Sequence, residues 1–398
     1  MEDTNVVMIK YGELFLKSES VMRHYISILT GNLTKALDAA GIDHAIEVHR
    51  GRIIVKGTAI DDILHTAARI FGVVGVCRCI RTEPDRDQIE AAATALASRR
   101  LKEGMSFAVR ARRSGMKGFT SQELGASTGA CIFDAVPGIT VDLSHPDYEV
   151  HVEARDFGGL VYDEIIPGPG GLPLGTQGHV LSLISAGIDS PVATWLMMRR
   201  GCIPTVIHMD GGRYAGDNVK SGALRHLETL STWSPGRKVR LISVPMEQFF
   251  DAMIAAGVMR TRCLLCKRFM VRVAAEVARR QQHLALVMGD NIGQVASQTL
   301  ANMSVIDAVA PPELPILRPL ITYDKDEIVT IARSIGTFRE SAGDLECRVV
   351  PKHPAIAARP EDILEDESPL DIATLVQAAA GTITIYTALN GSIIESSQ

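Results

Sequence analysis

One string of nine residues carries the clearest chemistry in the chain: Leu183-Ile184-Ser185-Ala186-Gly187-Ile188-Asp189-Ser190-Pro191. An apolar strand pattern precedes it and a helical pattern follows. Pro191 suits the first turn of a helix, where its missing N–H costs little. Small side chains let the backbone approach an anion, and the unpaired N–H groups and dipole of a helix start favour phosphate there. Ser185 and Ser190 add hydroxyl donors. Asp189 repels phosphate, so its natural part is to hold a Mg²⁺ that bridges pyrophosphate. Neither G-x-x-x-x-G-K-[ST] nor G-x-G-x-x-G is present. The competing reading is an ordinary strand-to-helix turn, and the string's position at the first strand of an alternating α/β region favours the phosphate loop.

Cysteines supply a second set of reactive side chains. The seven are Cys77, Cys79, Cys131, Cys202, Cys263, Cys266 and Cys347, an odd number that argues against a disulfide framework. The first four fall within strand or helix patterns and are expected to be packing residues. Cys263-Leu264-Leu265-Cys266 stands just ahead of an amphipathic helix, and Cys347 follows far downstream in Asp344-Leu345-Glu346-Cys347-Arg348. A lone CxxC is compatible with a redox pair, half a zinc site or an iron–sulfur ligand set. Structural zinc wants four Cys or His ligands, and only His353 is at hand as a fourth. Three thiolates suit a [4Fe–4S] cluster with one iron left open. The alternative is a persulfide on Cys347, resolved as a disulfide by Cys263 or Cys266.

The elements that must position these residues follow from periodicity. A strand over 5–10, a helical stripe from Met22 to Leu37, strands over 43–48 and 51–56, a helix over 60–70 and a strand over 73–80 give a ferredoxin-like β-α-β-β-α-β order. A second unit has a helix over 87–101 and a strand over 105–111. Its next helix starts near Thr120, whose spacing to Glu123 fits a capping box, and strands follow over 139–143, 148–155 and 159–165. Residues 166–176 are rich in Gly and Pro and read as a linker. Beyond them come strand 178–184, helix 190–200, strand 203–209, helix 217–231, strand 238–244, helices 247–256 and 267–282, strand 283–288 and helix 293–302. Such alternation predicts a parallel sheet covered on both faces. The expected fold class is therefore α/β multidomain, with boundaries at 1–80, 81–166, a linker over 167–176, 177–350, and a C-terminal extension over 351–398. That extension holds an acidic stretch and a β-like run at 382–386.

Bulk properties narrow the setting. The chain has 398 residues, 46% of them hydrophobic and 22% charged, which suits a packed globular protein. No apolar run is long enough to span a membrane, and the N-terminus lacks the pattern of a signal peptide. A cytoplasmic protein without a membrane partner is expected. The net charge of −5 conceals a basic patch. Seven bases between Arg99 and Gly118 oppose Glu103 alone, whereas Glu361, Asp362, Glu365, Asp366, Glu367 and Asp371 stand together without a base. A local patch matters more than the total for binding phosphates.

The string at 183–191 resembles the Ser-Gly-Gly-x-Asp-Ser loop of the PP-loop ATP pyrophosphatases, with Ala186 in place of the usual first Gly. A methyl group there would crowd the loop if the position demanded φ > 0. Nearly the whole chain to about residue 355 resembles the tRNA 4-thiouridine synthetase (ThiI) family. Tyr11-Gly12-Glu13-Leu14-Phe15-Leu16-Lys17-Ser18 is similar to its opening motif. Phe107 to Arg113 and Gly118 to Glu123 are similar to its THUMP RNA-binding domain. Gly289 to Thr299, Arg318-Pro319-Leu320 and Asp324 to Ile328 resemble stretches near its nucleotide pocket.

This resemblance implies an N-terminal ferredoxin-like domain and a THUMP domain that grip tRNA, with Arg110, Arg112, Arg113 and Lys117 as RNA-binding candidates. It implies a Rossmann-like PP-loop domain that uses ATP and Mg²⁺ to adenylate O4 of a uridine, expected at position eight of the tRNA. Leu183, Ile184, Ser185, Ala186, Gly187, Asp189, Ser190, His208, Met209, Gly289 and Gln298 become ATP-binding candidates. By spacing alone His208 reads as a packing residue. Asp189, Lys325 and Cys347 become the catalytic candidates. Lys325 would stabilise charge developing on the transferring phosphate. Cys263, Cys266 and Cys347 match the subgroup with an iron–sulfur cluster. No rhodanese-like segment follows Cys347, so free sulfide or an external sulfur donor is expected, and a part in thiamine thiazole synthesis is not. A homodimer is a further expectation. Another tRNA thiolation, or RNA binding without catalysis, are the competing functions.

Overall fold

The computed structural model describes residues 5–12, 18–340 and 343–397, so Glu13 to Lys17 of the N-terminal motif lie outside the described residues. The chain divides into two compact units, Met1–Gly171 and Leu172–Gln398.

In the first unit, β1 (Asn5–Tyr11), α1 (Glu19–Ala39), β2 (Ala45–His49), β3 (Arg52–Lys56), α2 (Ile60–Ala67) and β4 (Val73–Thr82) follow the expected ferredoxin-like order. Then come α3 (Arg86–Ala97), β5 (Ser106–Ser114), α4 (Ser121–Ala135), β6 (Thr140–Val141), β7 (Tyr148–Arg155), β8 (Gly158–Tyr162) and β9 (Ile166–Pro167). All nine strands share one sheet, ordered β2-β3-β1-β4-β8-β7-β5-β6, with β9 also paired to β4. The seam between the two halves is the antiparallel β4–β8 pair, Ile80 opposite Val161. Gly159 permits it, because a Cβ there would lie 2.3 Å from side-chain atoms of both Ile89 and Thr82.

A buried ion cluster also crosses the sheet. Glu153 is fully buried and takes hydrogen bonds from Arg52 Nε (3.1 Å) and Nη2 (2.7 Å), Arg155 and Tyr162. The Thr120–Glu123 capping box forms as expected at the start of α4. Cys131 departs from expectation: it is exposed. The buried stripe of α4 runs through Leu124, Thr128 and Ile132, so Cys131 falls one residue off it.

The second unit contains β10 (His179–Leu183), α5 (Asp189–Arg199), β11 (Ile203–Asp210), α6 (Val219–Ser231), β12 (Val239–Pro245), α7 (Glu247–Ala255) and α8 (Arg262–Gln281). It continues with β13 (Leu286–Val287), α9 (Leu300–Asp307), β14 (Ile316–Leu317), α10 (Lys325–Ile335), α11 (Pro360–Glu367), α12 (Ile372–Gly381), β15 (Thr384–Leu389) and β16 (Ser392–Ser397). The sheet order is β14-β13-β10-β11-β12-β15-β16. The first five strands are parallel and the last two antiparallel. Because β10 lies between β11 and β13, consecutive connections run to opposite sides of it. That reversal opens a crevice at the strand C-termini, the usual ligand position in such sheets.

Two expected elements differ. The helix expected over 267–282 begins at Arg262, so CxxC lies inside its first turns. The helix expected over 293–302 is a 3₁₀ turn at Ala296–Gln298 followed by α9. Gly293 adopts φ +77°, and the Thr299 hydroxyl caps Asn302 N–H at 3.2 Å, so the helix starts after Thr299. Residues beyond 360 join the body of this unit: α11 and α12 pack on α8, β15 extends the sheet from β12, and Glu367 is buried against Arg268 and Arg272. Among the described residues no helix is long and apolar enough to cross a membrane.

Burial alone would raise the carboxyl of Glu153, but the hydrogen bonds and charges of Arg52 and Arg155 outweigh it and hold it at about 2. Its contribution to stability is therefore complete above the ordinary carboxyl value of 4.5 and is lost as pH falls from there toward 2. Glu153→Gln strands Arg52 without a counter-charge and should destabilise the first unit by roughly 3 kcal/mol, measured by urea unfolding at neutral pH.

Candidate active site

The loop after β10 is built by its own hydroxyls. Ser185 N–H donates to Ser190 Oγ at 2.9 Å, the two hydroxyls lie 3.1 Å apart, and Gly187 N–H approaches Ser185 Oγ at 3.3 Å. The serines thus shape the loop as well as lining it. Ala186 adopts no left-handed φ, so its methyl carries no backbone strain. The methyl faces α6, where a Cβ on Gly222 would lie 2.5 Å from it. Glycine at 222 therefore makes room for alanine at 186. On the other side, a Cβ on Gly289 would lie 2.9 Å from Ser190 Cα and N. The strand end after β13 is pressed onto the start of α5, and only glycine fits.

Two buried histidines brace the loop carbonyls. His208 Nδ1 lies 3.1 Å from Ile184 O, and His226 Nε2 lies 3.2 Å from Ala186 O. Each of these nitrogens must carry the proton, since a carbonyl only accepts. Burial lowers both pKa values and keeps the rings neutral. His208 Nε2 is then a buried acceptor with no partner among the described residues. His208 is therefore not simply packed: it presents an open acceptor next to the loop.

Asp189 opens α5 and reaches across the crevice. Lys325 Nζ, at the start of α10, lies 2.7 Å from Asp189 Oδ1, and Gln294 Nε2 lies 3.2 Å from Oδ2. Lys325 is aimed by a capping box between Asp324 and Glu327. The preceding turn is held by Ile292 N–H to Ile321 O (3.3 Å) and by Asn291 donating to Tyr323 O. A half-exposed pair of this kind adds little stability. What it does is bring a carboxylate and an ammonium, distant in sequence, to the mouth of an anion-type loop.

Behind Gly289 sits Asp290, buried and held by Lys267 (2.7 Å), Arg318 (3.1 Å) and Gln298 Nε2 (3.2 Å). Burial pushes its carboxyl up, but Lys267 and Arg318 outweigh that and keep it ionised. Gln298 Oε1 has no partner among the described residues. The sequence assigns no individual role to Lys267, Asp290, Arg318, Gln294 or His226. Asp290, Gln294 and Arg318 fall in strings that carry the family resemblance, yet no spacing rule connects Asp290 to Arg318 or to Lys267.

Cys263, Cys266 and Cys347 line one cavity of about 230 Å³. A second cavity of about 180 Å³ shares Cys266 and Cys347 with it and reaches Met209 at the end of β11. The Cys347 segment is stitched to the loop after β11 by an Ala215–Cys347 bridge, by Gly216 N–H to Glu346 O (2.8 Å) and by Arg348 N–H to Tyr214 O (2.9 Å). Burial, followed by the charge that Cys347 and Cys263 would carry, pushes the Cys266 thiol up to about 12, and burial raises Cys263 as well. Among the described residues no three Cys, His, Asp or Glu side chains are gathered as closely as a metal ion requires.

In the first unit, Arg110 is paired with Glu149 (2.6 Å) and donates to Leu143 O. Arg113 donates to Met116 O, and Arg112 and Lys117 are exposed. Arg110 and Arg112 border a cavity of about 1050 Å³ beside α4.

A Ser-x-Gly-x-Asp-Ser loop at the switch point of a mainly parallel sheet defines a PP-loop α/β domain, here preceded by ferredoxin-like and THUMP folds. The family comparisons agree. The ThiI ferredoxin-like domain matches residues 6–77, the THUMP domain 83–162, and "Thiamine biosynthesis protein (ThiI)" 175–372. A "Probable tRNA sulfurtransferase" of Methanosarcina acetivorans is 38% identical, with 96% of this chain and 93% of that protein covered. The like-named protein of Methanothermobacter thermautotrophicus is 36% identical over 93% of this chain and 95% of its own. The chain therefore belongs to the ThiI family of tRNA sulfurtransferases. A solved "4-thiouridine synthetase - RNA complex with bound ATP" superimposes with a TM-score of 0.83 at 26% identity, covering 98% of this chain and all of that one.

The difference in thiol burial predicts an order of reactivity. Iodoacetamide at pH 8, followed by peptide mass spectrometry, should label exposed Cys347 and Cys131 well before Cys266, whose thiolate fraction is negligible there.

Proposed function

We propose that this chain is an ATP-dependent tRNA uridine 4-sulfurtransferase, acting on the uridine at position eight. The observation that carries the reading is the Asp189–Lys325 contact over the serine-braced loop, in the same unit as a cavity lined by three cysteines. The names of the relatives and the ATP- and RNA-bound state of the similar 4-thiouridine synthetase support it.

In this reading Leu183, Ile184, Ser185, Ala186, Gly187 and Ser190 cradle the ATP phosphates, with Gly289 and Gln298 behind them. His208 and Met209 border the adenine, and the open Nε2 of His208 accepts an N–H. Asp189 suits Mg²⁺, being a half-exposed carboxylate at the phosphate loop, and the ion would screen charge between the phosphates. Lys325 then passes from Asp189 to the phosphate under attack. The uridine O4 attacks the α-phosphorus and pyrophosphate leaves. A sulfur nucleophile next attacks C4: the C4–S bond forms, the C4–O bond breaks, AMP departs with the bonding electrons, and the proton on sulfur passes to solvent. Oxygen bound to AMP is a far better leaving group than oxygen alone.

The three cysteines fit a [4Fe–4S] cluster in residue type and in sharing one largely apolar cavity, although they are not drawn into ligating proximity. When bound, the cluster would supply an open iron for sulfide. Arg110, Arg112, Arg113 and Lys117 serve as phosphate contacts to tRNA. The working division is 1–80 and 81–166 for RNA, a linker over 167–176, 177–350 for catalysis and 351–398 as an extension.

Anaerobic protein given ATP, Mg²⁺, sulfide and unmodified tRNA should produce the near-ultraviolet band of 4-thiouridine, and tRNA that is bound but never thiolated would refute the reading. Asp189→Ala should lower thiolation by at least about a hundredfold, the scale of losing a transition-state electrostatic group, with tRNA affinity measured by filter binding within about twofold.

A further inference from the structure

Helix α6 grips residue 186 of the phosphate-type loop in two ways. His226 Nε2 donates to Ala186 O at 3.2 Å, and a Cβ on Gly222 would lie 2.5 Å from Ala186 Cβ and 3.2 Å from Ala186 Cα. Gly222 and His226 are one helical turn apart, so they share a face of α6, and both are buried. Glycine weakens a helix interior, and Gly222 has no positive φ that would call for it. What it provides is space for the Ala186 methyl. The start of α6 is itself fixed: Asn218 N–H donates to Asp344 O at 3.1 Å, and Lys220 Nζ lies 2.9 Å from Asp210 Oδ2.

Holding that carbonyl has a consequence one residue on. In a trans peptide the C=O and the following N–H point in opposite directions. With Ala186 O turned toward α6, the Gly187 N–H is turned away from it. That N–H meets Ser185 Oγ at 3.3 Å, longer than a good hydrogen bond, and a phosphate oxygen is a stronger acceptor than a hydroxyl. His208 differs from His226 in having an open Nε2 beside the one nitrogen that holds Ile184 O. His226 directs its Nε2–H at the backbone, so its effect on a nucleotide passes through the loop.

We propose that His226 is a positioning residue for a nucleoside triphosphate: it holds the Ala186 carbonyl on α6 and so aims the Gly187 amide at a phosphate oxygen, while Gly222 sets how closely residue 186 seats on the helix. This rests on the ATP-dependent reading above and deepens it. A bare nucleoside offers the amide no anion, so the effect is confined to ligands that carry phosphate.

Equilibrium binding to the full chain, with Mg²⁺ present and tRNA absent, tests this with ATP and adenosine as the two probes. His226→Phe keeps a flat ring and loses the donor. It should weaken ATP about tenfold, the scale of one hydrogen bond to a charged group, and leave adenosine within about twofold. His226→Gln, whose amide N–H has a similar reach, should bring ATP back to within about threefold of wild type. In pyrophosphate release with tRNA, the larger change should fall on KM for ATP rather than on kcat. Gly222→Ala should weaken ATP at least about tenfold. Combined with Ala186→Gly it should bind within about threefold of Ala186→Gly alone, because removing one methyl admits the other.

Wild-type affinity for ATP in His226→Phe would overturn the proposal. So would equal losses for ATP and adenosine, which mark a merely structural histidine, or a failure of His226→Gln to recover. Wild-type protein that binds ATP yet never thiolates tRNA would instead defeat the functional reading, and the ratio of ATP to adenosine affinity would still decide whether His226 serves the phosphates.

Discussion

The second unit is organised around one buried carboxylate. Asp290 cannot remain ionised inside protein without partners, and Lys267, Arg318 and Gln298 supply them. Each partner comes from a different segment. Lys267 belongs to the helix that carries Cys263 and Cys266, Arg318 follows the edge strand β14, and Gln298 ends the 3₁₀ turn before α9. The residue before Asp290 is the glycine pressed against Ser190. Satisfying this one charge therefore brings the cysteine-bearing helix, the strand ends and the phosphate-type loop into a single arrangement.

Electrostatics divides the region into two environments. Around the loop, neutral histidines, helix N–H groups and Lys325 offer donors and positive charge to an anion, and the half-exposed Asp189 adds a carboxylate. Around the cysteines, burial raises the thiol pKa values of Cys263 and Cys266 and the wall is largely apolar. The first environment suits activation of an oxygen by a phosphate, and the second suits a soft sulfur nucleophile shielded from water. The two cavities share Cys266 and Cys347, and the smaller one reaches Met209 near the end of β11.

Local patterns made much of the fold legible. β7 is observed over the expected residues 148–155, and Thr120 and Glu123 form their capping box, because alternation and caps are decided within a few residues. The loop at 183–191 was legible for the same reason. What periodicity misses depends either on single-residue conformation and caps or on partners far away in sequence. The helix expected over 293–302 yields to Gly293 and the Thr299 cap, and the terminal segments 360–397 are placed by Glu367 against two arginines and by β15 on β12. Asp290 looked like one residue in a short motif, since neither Lys267 nor Arg318 stands at a telling distance from it. Cys131 is exposed because a helical pattern does not by itself fix the phase of the buried stripe, which runs through Leu124, Thr128 and Ile132. Ala186 looked like a departure from the loop pattern, and only the structure shows Gly222 opposite its methyl.

In the proposed function the loop around Asp189 breaks ATP between its α and β phosphates to make a uridine oxygen expendable. Anaerobic single-turnover reaction with α-labelled ATP and unmodified tRNA tests this most directly, with nucleotide products and incorporated sulfur counted in one sample. AMP and pyrophosphate are expected in step with thiolated uridine. ADP and inorganic phosphate as the products, or thiolation proceeding with ATP left intact, would contradict it.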